Sequence, residues 1–340
     1  MTKSALILDC LAAAYRLDLG DKDYVHNLAE AATPLLDRGF GVLAYTYDAR
    51  DERQPVIEEV ATSTGFDPSW LPRFYETVEA AGYAGPPQPT GFEAWRHMTC
   101  GQASQVAKMR PFLPMFEILG GSRDAFALNA LDASGQGLWL GAPLRSTRKV
   151  SVEQVTLFTR LAAHLASAMR LRRTTSGAKP KAAAVLSPSG ALLHAEAEAG
   201  VVEARATLRE ATVAFDQARS KKPRSNVDSA TRRWRPLVVS RWSLLDDFDS
   251  DGRRFVVAVE NAPPTRPPRR DLSEREHQVM TQAHLGHTNK VIAYELGLST
   301  STVRVLLHRA ALKLGVSTRD EAIRRFDQLV QKAQRSTGPR

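Results

Sequence analysis

Cysteine is scarce in this 340-residue chain: Cys10 and Cys100 are the only two. Two thiols make no disulfide framework, so the fold must rest on packed cores, and a reducing, cytoplasmic setting is expected. Long apolar runs are missing too. The nearest approach, SALILDCLAAAYRL from Ser4, is interrupted by Asp9 and leads into no small-residue cleavage region. It therefore predicts an amphipathic first helix rather than a signal peptide. Nothing else nears the ~18 apolar residues of a membrane span, so a soluble protein with no membrane partner is expected.

Catalytic signatures are equally absent. The chain has no Walker motif, GxSxG, HExxH or paired CxxC, and an enzyme is not expected. His97, Met98 and Cys100 lie close together, but a lone cluster without a second half of ligands does not make a metal site. The acidic run at 246–252, DDFDSDG, has Val257 and Ala258 where a calcium loop needs its bidentate acid, and a hairpin turn explains it better. No metal and no cofactor are expected. The ordered acidic cluster, acceptor Asp and Lys of a phospho-receiver are not recognisable. Neither is the aromatic and Asp pattern of an acyl-homoserine-lactone pocket.

What the chain does have is an uneven charge. Its formal net charge is +9, and 43% of its residues are hydrophobic, enough for two or three cored domains. Residues 1–170 carry 16 basic and 19 acidic side chains, residues 171–265 carry 16 and 11, and residues 266–340 carry 14 and 7. The positive field is concentrated near the C-terminus, where a polyanion would bind.

That basic segment also holds the most specific pattern in the sequence. NKVIAYELGL after Thr288 and STSTVRVLLHRAALKL from Ser299 read as two short helices joined at Gly297. Two helices crossing steeply need a small residue, here Ala293, and a glycine free to turn left-handed. They also need apolar residues aimed into the shared angle: Ile292, Leu296, Leu298, Val303 and Leu306. Ser299 is placed to cap the second helix, and Val303, Leu307, Ala310 and Leu314 form its apolar stripe. Ser301, Arg304, Val305, His308 and Arg309 are left on the opposite face. Ser273 with Glu276, and Ser317 with Asp320, match capping boxes, while Gly286 and Gly315 stand where helices stop. Four helices are predicted, over 274–285, 289–296, 300–314 and 318–332.

The ordered motifs LSEREHQVM, GHTNKVIAYELGLSTSTV, KLGV and STRDEAI resemble the DNA-binding domain of LuxR-type bacterial transcription regulators over residues 271–329. The resemblance implies that Arg304, Val305 and His308 face bases in double-stranded DNA. Thr288, Asn289, Lys290, Ser301, Thr302 and Arg309 would fall at or near backbone-contacting positions. It also implies that the last helix, with Ala322, Ile323, Phe326, Leu329 and Val330, supports a homodimer, although the same stripe would serve ordinary core packing. Leu306 and Arg309 depart from residues common in the family, which alters the expected operator and not the fold.

Upstream, residues 1–173 read as mixed α and β. Helical spacing covers 6–17, 24–36 and 72–81. GFGVLAYTYDA and PVIEEVATS form one hairpin, and DAFALNAL and GLWLGAPL form another around Ser-Gly-Gln-Gly. The prolines at 85–89 mark a loop. A long helix follows, capped by Ser151, with Val155, Phe158, Leu161, Leu165 and Met169 on one face. This order resembles a GAF sensory domain, in which the closing helix packs on its twin or covers its own sheet. Tyr45, Tyr47, Trp70, Trp95 and Trp139 either complete the core or line a pocket for an unidentified small-molecule ligand.

After the polar linker at 172–181, residues 182–262 give strand, turn, strand, a helix over 201–219, a loop and two further strands, a pattern that resembles a small PAS-like module. Residues 263–270 form a stiff Pro/Arg linker. The expected architecture is therefore α+β and multidomain, with GAF-like (1–173), PAS-like (182–262) and four-helix LuxR-type (271–332) parts. The function it points to is a sequence-specific transcription regulator. The rival reading is a signalling protein whose C-terminal helices bind a protein partner.

Overall fold

The computed structural model describes residues 3–50, 55–80, 98–106, 109–110, 113–117, 120–132, 135–147, 149–175, 182–219, 242–248, 252, 254–261 and 272–336. The loop at 85–89, Trp95, His97, the loop at 220–229 and the linker at 263–270 lie outside them. Chain order begins with helices α1 (Lys3–Ala14) and α2 (Asp21–Leu36), then strands β1 (Leu43–Asp48) and β2 (Val56–Thr62), and helix α3 (Trp70–Ala80). Strand β3 (Cys100–Gln102), helix α4 (Leu113–Glu117), strands β4 (Asp124–Leu131) and β5 (Gln136–Leu144), and the long helix α5 (Val152–Thr175) complete the first part.

The five strands form one antiparallel sheet in the order β2-β1-β5-β4-β3, and the two predicted hairpins pair as expected. Sequence reading missed β3 and α4, both too short to show a periodicity. Period-2 alternation divides the sheet's residues between two faces. Ala44, Leu128, Leu138 and Leu140 share a core with α1, α2 and α5. Tyr45, Tyr47, Ala127 and Trp139 belong to clusters on the other side, with Trp70 and Phe116 closing part of it.

Helix α5 is capped as predicted, the Ser151 hydroxyl accepting from the Gln154 amide at 3.2 Å. Leu161, Leu165 and Met169 are buried against the sheet and α1. Of the two roles open to this stripe, covering the domain's own sheet is the one the structure gives it. At the far end, Arg172 lies over the Tyr24 ring at 4.4 Å and donates to Asp21 at 2.8 Å, tying α5 to the start of α2.

Beyond α5, strands β6 (Ala182–Leu186) and β7 (Leu192–Ala195), helix α6 (Val202–Arg219), and strands β8 (Trp242–Phe248) and β9 (Arg254–Glu260) follow. They make an antiparallel sheet in the order β7-β6-β9-β8, and Arg254 fixes α6 to β9 through Asp216 at 2.7 Å. Ala184, Leu186, Leu208, Trp242 and Val256 of this unit belong to the same contiguous apolar cluster as the first sheet and its helices. A four-stranded sheet with one long helix buries little on its own, and sharing a core removes that deficit.

The C-terminal part consists of α7 (Glu274–His284), α8 (Asn289–Glu295), α9 (Thr300–Lys313) and α10 (Arg319–Ser336). Its core is separate from the first, built on Val279, Met280, Ile292, Val303, Leu307, Ala310 and Phe326. Among the described residues, no helix is long and apolar enough to cross a membrane.

Candidate nucleic-acid interface

The two helices α8 and α9 are positioned by their caps and by the turn between them. The Thr288 hydroxyl accepts from the Val291 amide at 3.4 Å, and the Ser299 hydroxyl accepts from the Thr302 amide at 3.0 Å. Between them, Gly297 has φ +67°, the left-handed conformation that only a residue without Cβ adopts at little cost. Inside the resulting angle Ile292 and Val303 are fully buried, while Leu298 and Leu306 are half-buried at its margin.

Burial of Val303, Leu307, Ala310 and Leu314 fixes the rotation of α9 and turns the opposite side outward. Ser301, Thr302, Arg304, Val305, His308 and Arg309 are all exposed, so the base-facing and backbone-facing candidates of this helix share one open surface. Val305 is 49% exposed, an apolar side chain with no core to fill. At 14 residues α9 is roughly 21 Å long, and an α-helix, about 10 to 12 Å across with its side chains, fits a B-DNA major groove. An Arg fork can bond a guanine edge bidentately, and a valine can meet a thymine methyl.

From α8, Thr288 and Lys290 are exposed and Asn289 is half-buried, all at the helix N-terminus. Backbone N–H groups and the positive end of the macrodipole suit a phosphate there. Three of the predicted backbone-contacting hydroxyls have a second task. Thr288 caps α8, and the Ser299 hydroxyl lies 2.7 Å from that of Ser301 and 2.8 Å from that of Thr302. These groups hold helix ends in place as well as facing outward.

Two acidic side chains of this domain, Glu276 and Glu295, are buried and paired. Glu295 is buried against His287 at 3.1 Å, and the Glu276 carboxylate takes Lys313 at 2.7 Å. Burial raises the Glu276 pKa, but Lys313 and the Ser273 amide and hydroxyl outweigh it and hold the acid below its usual value. The Ser273–Glu276 capping box forms as predicted. The second box does not form at Ser317 and Asp320. Helix α10 starts one residue later, so the Thr318 hydroxyl accepts from the Glu321 amide at 3.2 Å, and the Glu321 carboxylate accepts from the Ser317 and Thr318 amides. Asp320 is left exposed.

Burial divides the dimerisation set of the last helix into two pairs. Phe326 and Val330 are 3% and 7% exposed, and Phe326 lies between the His277 and His284 rings at 5.5 and 6.0 Å. They complete the domain's own core, because α10 has to cover α7. Ile323 and Leu329, half-buried at its edge, are the members of the set with surface still to offer.

In the first sheet, Tyr45 stacks on Trp139 at 5.0 Å, and Trp70 meets Phe66 and Phe116 at 5.8 and 6.0 Å. The Tyr47 hydroxyl donates to Asn129 at 2.6 Å, and burial pushes its pKa upward. These rings pack on one another as core residues do. Both thiols are kept neutral: burial, then the Asp9 charge, pushes Cys10 up to about 12, and burial pushes Cys100 up to about 11 against its contact with Thr159.

Sequence reading missed one feature beside the interface. Tyr294 of α8 and Leu285 after α7 do not enter the C-terminal core, and both touch the first domain. Their only signal was a large side chain at a position the helix-turn-helix does not use.

No curated protein matches the chain. Among solved structures, the chain is similar to the crystal structure of Escherichia coli SdiA, at 11% identity over 94% of this chain and 95% of that one, with a TM-score of 0.32. It is similar also to SdiA in complex with octanoyl-rac-glycerol, at 11% identity over 96% of each chain, with a TM-score of 0.30. Scores that low do not speak for a common fold. Residues 270–326 match the family model of bacterial regulatory proteins, luxR family, and so this segment, from α7 into the first half of α10, is a LuxR-family domain.

Proposed function

We propose that the chain is a sequence-specific transcription regulator of the LuxR type, acting in the cytoplasm as a homodimer on double-stranded DNA. The observation that carries this is the outward face of α9, where Arg304, Val305 and His308 stand exposed together on a helix whose other side is locked into a core. In this reading the first part is a GAF-like sensory domain and residues 182–262 a PAS-like module. Input reaches them from an unidentified small molecule, and the protein catalyses nothing.

Titration of fluorescently labelled promoter fragments with the full chain at increasing salt tests the reading. Affinity falls steeply as salt rises, and one fragment is preferred over its scrambled sequence. Replacing Lys290→Ala weakens binding to every sequence alike and lowers the slope of log K against log salt by about one. A shallow slope and indifference to sequence would instead mark α9 as a surface for a protein partner.

A further inference from the structure

The C-terminal domain has two large side chains that serve another domain's packing. Leu285, the C-cap of α7, sits in a cluster with Tyr45, Tyr47, Leu131 and Trp139 on the aromatic face of the first sheet. Tyr294, in the last turn of α8, packs on α5. Its hydroxyl lies 2.9 Å from Nε2 of the fully buried His164, their rings meet edge to face at 5.9 Å, and the Arg160 guanidinium lies 5.9 Å from the Tyr294 ring centroid. His164 lies 130 positions from Tyr294, and the partners of Leu285 lie farther still along the chain, so no local folding requirement of the helix-turn-helix explains them.

Neither contact involves the outward face of α9. Val305 remains half exposed and Arg304 and His308 are open while both grips are engaged. The docked arrangement is therefore compatible with a DNA duplex on α9. Domains within one chain move relative to each other by default unless their interface is large and hydrophobic. A DNA-binding domain swinging on its linker loses orientational freedom when it binds, whereas a docked one has lost it beforehand.

From this geometry we infer that Leu285 and Tyr294 are positioning residues. Together with His164 they form a latch that holds the DNA-binding domain on the first domain with α9 facing out, and this preorganisation tightens DNA binding. The inference rests on the regulator reading above, and the test separates the two.

In the full chain, Tyr294→Phe removes the hydroxyl and Leu285→Ala the apolar grip, and neither touches the C-terminal core. Hydrogen exchange at 160–168 of α5 rises in both variants. Binding to the preferred fragment weakens about three- to tenfold, the range one hydrogen bond's net contribution spans. His164→Phe combined with Tyr294→Phe costs less than the two single changes together, because both remove one shared contact. Exchange that does not rise overturns the latch, and so does DNA affinity that stays equal or improves when exchange has risen. Arg304→Ala serves as the control. If it weakens binding and the latch variants do not, only the latch fails; if it has no effect on binding, the regulator reading fails by itself.

Discussion

Helices α5 and α9 begin alike and end up in opposite circumstances. Each opens on a serine whose hydroxyl accepts from the amide three residues on, and each has an apolar stripe at helical spacing. Around α5 the sheet and α1 cover that stripe, α8 packs on another side, and even His164 is fully buried. Around α9 the stripe meets the small C-terminal core, and nothing among the described residues lies on the basic side. Amphipathicity alone does not separate a structural helix from a binding one. The residues left over once the core is satisfied do.

The strongest way to break this contrast is inside α5. Leu165→Ala leaves a cavity against the sheet and should destabilise the first domain by about 2 to 5 kcal/mol in a denaturant titration. Circular dichroism should show the C-terminal helices melting as before. Next comes the open side of α9. Arg304→Ala should leave the melting temperature unchanged and cost about 1 to 3 kcal/mol on the preferred DNA site, read by fluorescence anisotropy, if the guanidinium bonds a base in two places. A fall in stability instead would place Arg304 with the structural residues and erase the contrast.

A smaller effect sharpens it further. The folded-state pKa of Glu276 is depressed, so its ionised form contributes stability above the ordinary value of 4.5. That contribution fades as pH drops below this value and through the lowered one. In Glu276→Gln the C-terminal domain should lose about 1 kcal/mol at neutral pH, on the scale of one helix cap, and its stability should flatten across the acidic range. Thermal melts between neutral pH and pH 3 distinguish the two slopes.

Much of this was legible in the sequence because it is local. Gly297, the cap at Ser299 and the stripe of α9 sit within a few residues of what they stabilise, and both hairpins of the first sheet carry their turns with them. The failures have physical causes too. Two overlapping frames, Ser317 with Asp320 and Thr318 with Glu321, fit a capping box equally well on paper; the longer glutamate reaches back to two amides and wins. Phe326 and Val330 show that an apolar stripe does not announce whether its partner is its own domain or another chain. Strand β3 has three residues, too few for any alternation. The contact between His164 and Tyr294 spans 130 positions and leaves no periodic trace.

One oxygen of Glu276 accepts from the Ser273 amide at 2.8 Å and from the Lys313 ammonium at 2.7 Å. The residue that closes the start of α7 is thereby moored to the last turn of α9. A tug on the chain just ahead of Ser273 would be felt at the rear of α9 first, about one and a half turns from His308 and two and a half from Arg304.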